Sequence, residues 1–447
     1  MDLKRKLITS LPQSAKRVLA VPYDYYQTSK ADRQFSNRDF PSKQRSESAP
    51  DHIICVVVDA LRADHVNSDL TPYLSGLTGT TAVSPGTWTF PTVSSLLSGL
   101  YPHEHGAMRQ TDDLDDTEGI TLPPRMDEDQ LTITDALAGA GYDSYGGFGH
   151  DTPFVALSGR FQTHELYHTI TAGADELLDD YLDWVEGRDQ TFAFLHLADP
   201  HAPVDPPSKY KRKHNVDDSI PELENWRYQT DVDCESDCQR YREHRRRLYR
   251  SSVDYVDDAL ERFDTRLNEI IDEPLLVVTS DHGEAHWEHL EFDIEHFGGS
   301  GCVDHGGAPY EEIARVPLLT NADWAMDGLT SLIDLPATFT DVTGIEFTNT
   351  SGRSLCESHG SDRFALIEGS LSGHEKKAVY HRNFKLLASK GHGVEVGYSL
   401  PEETITDLPD DIHESLRDQL PAWPAENDSE TEVSSVVENR LEKLGYK

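Results

Sequence analysis

Three apolar stretches each run out into side chains that can bind a cation or carry a proton. VVVDALRADH places Asp59 at its tip, LHLADPHAPVDPP places His196, Asp199 and His201, and TSDHGE places Asp281 and His282. Carboxylates brought together from separate segments repel one another unless a cation sits among them. Mixed oxygen and nitrogen donors suit a divalent ion such as Zn, Mn, Mg or Ca, as one ion or as two. A single Asp after a strand also serves as an ordinary helix N-cap, so the three segments count together.

A nucleophile stands nearby in type. In GTWTFPTVSSLLSGLYPHEHG, Thr89 precedes Phe90 and Pro91 and then a short apolar helix. Pro is favoured in a first helical turn and Thr as the cap before it. The Thr89 hydroxyl is then expected at the positive helix end, which favours an alkoxide. A metal on the same oxygen would lower its pKa further and make a weak nucleophile strong. Taken alone, Thr89 reads more readily as a plain cap; taken with the metal-binding cluster, it reads as the nucleophile.

Positioning these groups requires strands alternating with helices. Ile53–Val58 is a continuous apolar run, as expected of a buried parallel strand. Thr191–Leu197 and Leu275–Ser280 read as two more strands, and Leu131–Gly141 and Leu248–Ile271 as helices. This order argues for an α/β fold with a mostly parallel sheet covered by helices on both faces. In such sheets the site forms beyond the carboxyl ends of the strands, where these residues fall. Residues 208–250 read as a polar and basic surface insertion, with six Arg from Arg240 to Arg250 that either attract an anionic substrate or pair with surface acids. After about residue 345 the elements shorten into strands of a smaller antiparallel α+β subdomain. The acidic tail ends in a helical segment, VSSVVENRLEKLGYK. The expected organisation is therefore an arm over 1–50, a catalytic domain over 51–345 and a C-terminal subdomain over 346–447.

Composition narrows the class. The 447 residues carry 80 acidic against 40 basic side chains, a formal charge of −40. Duplex nucleic acid is excluded as a partner of the whole molecule, because its phosphates would be repelled. Charge of this size destabilises a compact chain unless salt screens it, so a salt-loving source is expected. Residues 1–45 run the other way, with ten Lys/Arg and four Asp. This basic arm would dock on the acidic body or lie at an anionic lipid surface as a peripheral contact. No apolar stretch is long enough for a membrane span or a secretory signal. Five scattered Cys suggest reduced thiols and a cytoplasmic address.

The order of these pieces resembles the sulfatase family of the alkaline phosphatase superfamily over about residues 52–447. VVVDALRADH, TWTFPTVSSLLSGLYPHEHG, TDALAGAGYDS and FLHLADPHAPVDPPSKY come first. YRSSVDYVDDAL, TSDHGE, DHGGAPYEEIARVPLL and SLIDLPATFTDVTGI follow. The resemblance implies an alkaline-phosphatase/sulfatase-like sandwich of haloarchaeal type. It implies Asp59, Asp281 and His282 as metal ligands with Thr89, and Thr89 as the catalytic nucleophile. It implies His201 and His305 as catalytic groups that contact substrate or protonate the leaving group. Asp199, His196 and His289 remain candidates for a second metal or for substrate, and His286 and His296 lie in the same His-rich stretch.

Departures from the family pattern sharpen the reading. Sulfate-ester members use Cys or Ser, oxidised to formylglycine, where this chain has Thr89, which cannot become that aldehyde. Thr92 and Val93 stand where an Arg is usual, and Ala60 replaces a second Asp. Thr in TFP resembles the phosphodiesterase and phosphoglycol- or phosphoethanolamine-transferase branches. The expected function is metal-dependent cleavage of phosphate or sulfate esters, with phosphodiester or phosphonate favoured. A true sulfuric ester hydrolase on sulfated glycans and a non-catalytic binding relative are the alternatives. The substrate would be an anionic ester, namely a glycan, a lipid head group or a nucleotide-like molecule.

Overall fold

The computed structural model describes residues 13–108, 122–167 and 173–423, apart from 300, 359, 361 and 372, together with residue 437. The strands in chain order are β1 His52–Val58, β2 Thr78–Val83, β3 Asp143–Phe148, β4 Thr163–Leu166, β5 Thr191–Leu197, β6 Leu275–Thr279, β7 Ala285–His286, β8 Val303–Asp304, β9 Arg315–Thr320 and β10 Thr330–Ser331. Eight of them form one sheet in the order β10-β2-β9-β6-β1-β5-β3-β4. β6, β1, β5, β3 and β4 run parallel, and β9 is antiparallel to both its neighbours. The short pair β7 and β8 makes a separate hairpin-like ribbon.

Side chains alternate across the central strands, and each face has its own core. Ile53, Cys55, Val57, Phe192, Phe194 and Val277 pack on one side, against the helices Thr89–Ser98, Ile133–Gly139, Asp151–Leu157 and Asp334–Thr343. Ile54, Val56, Val58, Ala193, Leu195 and Val278 face the other, against Ala174–Val185 and Ser236–Ile270. Burial on both faces explains why these strands are apolar throughout. The fold is the expected α/β sandwich. A second sheet, antiparallel, follows in the order β11 Phe364–Ile367, β12 Lys377–His381, β13 Phe384–Ser389, β14 Val394–Ser399 and β15 Thr404–Ile405.

Three sequence expectations are corrected. The long helix begins at Ser236, so about the last third of the 208–250 segment is helical. In its first part the buried positions Cys238, Tyr241, Arg245, Leu248 and Tyr249 follow helical spacing, a periodicity the Arg run disguises. Three of those six arginines fasten the preceding loop: Arg240 pairs with Asp217, Arg242 donates to the Tyr228 and Asp231 carbonyls, and Arg247 donates to the Asn215 carbonyl. Cys234 and Cys238 form a disulfide and are not reduced thiols. Cys234 sits in the turn entering the helix and Cys238 within its first turn, with Cα atoms 5.4 Å apart, inside bridging range. Thr89 is the first helical residue, and the cap before it is Trp88.

The described part of the basic segment packs on the body. A helix spans Gln13–Ser36, and its Ala31 and Phe35 are buried. Asp32 accepts from the His164 backbone N–H at 2.9 Å, Arg38 pairs with Asp135 at 2.8 Å, and the Lys43 N–H donates to the Gly139 carbonyl. No helix among the described residues is long and apolar enough to cross a membrane. Apart from Val437, the expected C-terminal helical segment lies outside the described residues.

Candidate active site

Four adjacent strands end on one side of the sheet, and each delivers a group to one buried cluster. β6 leads into Asp281 and His282, β1 into Asp59, β5 carries His196 near its end, and β3 leads into His150. All five are essentially inaccessible to solvent. The Thr89–Ser98 helix brings Thr89 in from the loop after β2. Thr89 Oγ1 lies 3.2 Å from His282 Nε2. The same nitrogen is 3.3 Å from Asp59 Oδ1 and 3.6 Å from Asp281 Oδ2. Gly283, next in the chain, fits because it has no side chain: a Cβ there would sit 1.9 Å from the Glu312 carbonyl oxygen.

The His282 tautomer is set by its backbone. Nδ1 lies 3.0 Å from the Gly283 carbonyl oxygen, so it carries the proton and donates. The neutral ring then turns the Nε2 lone pair toward two carboxylates and a hydroxyl. Burial holds His282 down to about 4, so neutral is its form near pH 7. A lone pair facing carboxylate oxygens is electrostatically unfavourable alone and is what a cation requires. Asp59, Asp281 and His282 offer ligand atoms within 4.8 Å of one another. Asp59 Oδ1 accepts no hydrogen bond despite complete burial. The donor set thus fits a divalent ion bound by oxygen and imidazole, with the Thr89 oxygen beside it.

The two carboxylates titrate in opposite directions. Burial, with Asp281 alongside, pushes Asp59 well above the usual carboxylate range. Burial also acts to raise Asp281, but His282, His196 and His305 outweigh it and hold it low. Like charges this close cannot both ionise without a counter-ion.

Imidazoles and a second acidic pair surround this centre. His196 Nε2 is 3.2 Å from Asp281 Oδ2, and His150 Nε2 is 2.7 Å from Asp59 Oδ2. The His305 ring stacks on His282 with centroids 4.2 Å apart, and His201 lies 4.8 Å from His305. His201 Nδ1 donates to the Ala202 carbonyl, which leaves Nε2 as the acceptor nitrogen. Burial, reinforced by His305, holds His201 down to about 3. His305 Nδ1 lies 2.8 Å from Asp304 Oδ1 and 3.6 Å from Glu284 Oε1. Burial lifts Glu284 to about 7. Burial opposes the shift of Asp304, yet His305 draws it down to about 2.

The remaining sequence candidates fall elsewhere. Asp199 turns its carboxylate to the Ala174 N–H at the start of a helix, and burial raises it to about 6. His289 pairs with Glu312 at 2.9 Å and Glu403 at 3.3 Å, a different cluster. His286 contacts Arg62, and His296 stacks on Phe292. Three groups in the cluster escaped the sequence reading: His150, Glu284 and Asp304. His150 follows β3 in GGFGHD, and Gly146 and Gly147 hide the strand; the strand-end rule applied there would have found it.

Comparisons with known proteins agree with this layout. The family model named Sulfatase matches residues 51–345. No curated protein sequence matches the chain. Among solved structures, BT4656, in complex with its substrate D-glucosamine-2-N,6-O-disulfate, is similar at 14% identity and TM-score 0.61, over 78% of this chain and 91% of that one. The phosphonate monoester hydrolase SpPMH from Silicibacter pomeroyi is similar at 17% identity and TM-score 0.60, over 82% and 93%. The phosphonate monoester hydrolase of Agrobacterium radiobacter is similar at 15% identity and TM-score 0.58, over 79% and 90%. Since that family match spans well over half of the sequence, the chain belongs to the sulfatase family.

Proposed function

We propose that this sulfatase-family hydrolase cleaves anionic esters with Thr89 as nucleophile and a divalent cation held by Asp59, Asp281 and His282. Phosphodiesters or phosphonate esters are the favoured substrates. The observation that carries the reading is the Thr89 hydroxyl 3.2 Å from His282 Nε2, a nitrogen that also faces Asp59 and Asp281. Bound there, the cation lowers the pKa of a hydroxyl beside it and neutralises charge on a transferring group.

The chain's own residues supply the rest. Thr89 Oγ1, its proton given up to solvent, attacks phosphorus in line, forming an O–P bond as the ester O–P bond breaks. His201 and His305 border the same space: His201, whose Nε2 is an acceptor, contacts the substrate, and His305 donates a proton to the departing alkoxide. Water, or a second alcohol in a transferase, then releases the phosphoryl group from Thr89. His196 remains the candidate for a second cation or for substrate. A threonine hydroxyl attacks phosphorus directly and has no route to the aldehyde of sulfate-cleaving members. Sulfated glycans are the second reading, supported by similarity to BT4656 and its sulfated substrate.

The test is an assay in molar KCl against an aryl phosphate monoester, an aryl phosphodiester, an aryl phosphonate monoester and an aryl sulfate, with and without EDTA. Phosphorus-ester cleavage that needs both Thr89 and metal is expected. Activity that survives both Thr89→Ala and EDTA would overturn the reading, and turnover of the sulfate alone would move it to the second.

A further inference from the structure

Just beyond the carboxyl end of β3 stands a histidine whose protons are fixed by geometry. His150 caps the helix Asp151–Leu157, and its Nδ1 accepts from the Thr152 backbone N–H at 3.4 Å. An imidazole that accepts at Nδ1 bears its proton on Nε2. That Nε2–H donates to Asp59 Oδ2 at 2.7 Å, with both side chains buried. The other oxygen, Oδ1, is the one 3.3 Å from His282 Nε2.

The backbone has been shaped to allow this contact. Gly149 lies where β3 closes on the end of β5: a Cβ there would fall 2.7 Å from the Ala198 nitrogen and 2.8 Å from its Cβ. A side chain at 149 would push the two strand ends apart and draw His150 off Asp59.

A cluster of Asp59, His150 and His196 also has the make-up of a cation site, with ligand atoms within 4.8 Å. The tautomer argues against it. The nitrogen of His150 that faces Asp59 is the protonated one, and its lone pair points into the helix start. An N–H cannot ligate a cation.

We propose that His150 is a positioning residue, whose Nε2–H holds Asp59 Oδ2 so that Oδ1 is presented to the cation beside Thr89, and that it is not itself a ligand. This rests on the metal reading above. Partners that orient ligating side chains set metal affinity by about 10- to 100-fold when removed.

The experiment is calorimetric titration of metal-depleted full-length protein with Mn²⁺ in molar KCl. Wild type is compared with His150→Phe, His150→Gln, Asp59→Asn and Asp281→Asn, and metal-free melting is recorded for each. The expected result is an unchanged number of bound ions in both His150 variants. Affinity should fall about 10- to 100-fold in His150→Phe and be largely restored in His150→Gln, whose amide N–H can reach the same oxygen. Loss of a whole equivalent of Mn²⁺ in either His150 variant would overturn the proposal, because His150 would then be a ligand. Wild-type affinity in the folded Phe variant would overturn it as well. If the Phe variant does not fold, the Gln variant decides alone: retained stoichiometry with affinity within about fivefold of wild type supports positioning, and a lost equivalent or a greater weakening overturns it. The metal reading fails separately, if wild type binds no Mn²⁺ or if Asp59→Asn and Asp281→Asn bind it as wild type does.

Discussion

His282 directs its unprotonated Nε2 at the Thr89 hydroxyl, 3.2 Å away, while its Nδ1–H is tied to the Gly283 carbonyl. The pair joins the end of β6 to the start of a helix that enters from β2. Removing the hydroxyl should therefore abolish chemistry without disturbing the fold. Thr89→Ala is expected to lower kcat by about 10³-fold or more, as loss of a nucleophile does. Thr89→Ser should keep part of the rate. Steady-state kinetics on an aryl phosphonate or phosphodiester, with circular dichroism for folding, check both.

Cation binding should stabilise the folded chain by mass action. With free Mn²⁺ or Zn²⁺ at about 100 times its Kd, the gain is about 2.7 kcal/mol. Thermal melts with and without metal measure it. Asp281→Asn should melt at a temperature that no longer responds to the ion.

The cluster of His289, Glu312, Glu403 and Lys385 ties the β9 side of the large sheet to the C-terminal sheet and should set an alkaline limit on stability. His289 is partly buried, which would lower its pKa, but Glu312 and Glu403 raise it to about 9. A raised pKa stabilises the fold fully below the unfolded value of 6.5 and loses that contribution as pH climbs through about 9. Melting temperature should fall between those limits in wild type, with a shallower slope in His289→Gln.

Salt should be a condition of folding. A charge of −40 repels itself across the molecule, and the Debye length falls from about 10 Å at 0.1 M to about 3 Å at 1 M salt. Melting temperature should rise steeply with KCl over that range. A flat response would remove the salt-loving reading.

Gly283 should tolerate no side chain. The carbonyl that a Cβ would strike belongs to the backbone of Glu312 and cannot rotate away. Gly283→Ala is expected to destabilise by about 1–3 kcal/mol, measured by chemical denaturation, and to displace His282.

Much of this was legible in the sequence because strand ends announce themselves. Ile53–Val58, Thr191–Leu197 and Leu275–Thr279 are apolar throughout and stop at polar residues, so the sheet and Asp59, His196 and Asp281 could be read together. β3 could not, because DSYGGF lacks the branched side chains that mark a strand, and His150 went unseen with it. The N-terminal half of the Ser236–Ile270 helix was hidden by a run of arginines, of which only Arg245 is buried and several hold a loop. The groups facing one another across the cluster, such as Asp304 with His305 and Asp59 with His150, are set by tertiary approach and leave no mark on spacing.

The Gln13–Ser36 helix lies along β4, the last strand of the large sheet, and Asp32 takes up the His164 amide there. An outer strand left bare offers a template on which a neighbouring molecule can extend the sheet. The leading segment thus doubles as a guard against self-association. A shortened chain starting near residue 50 would be expected to clump even where its chemistry is intact.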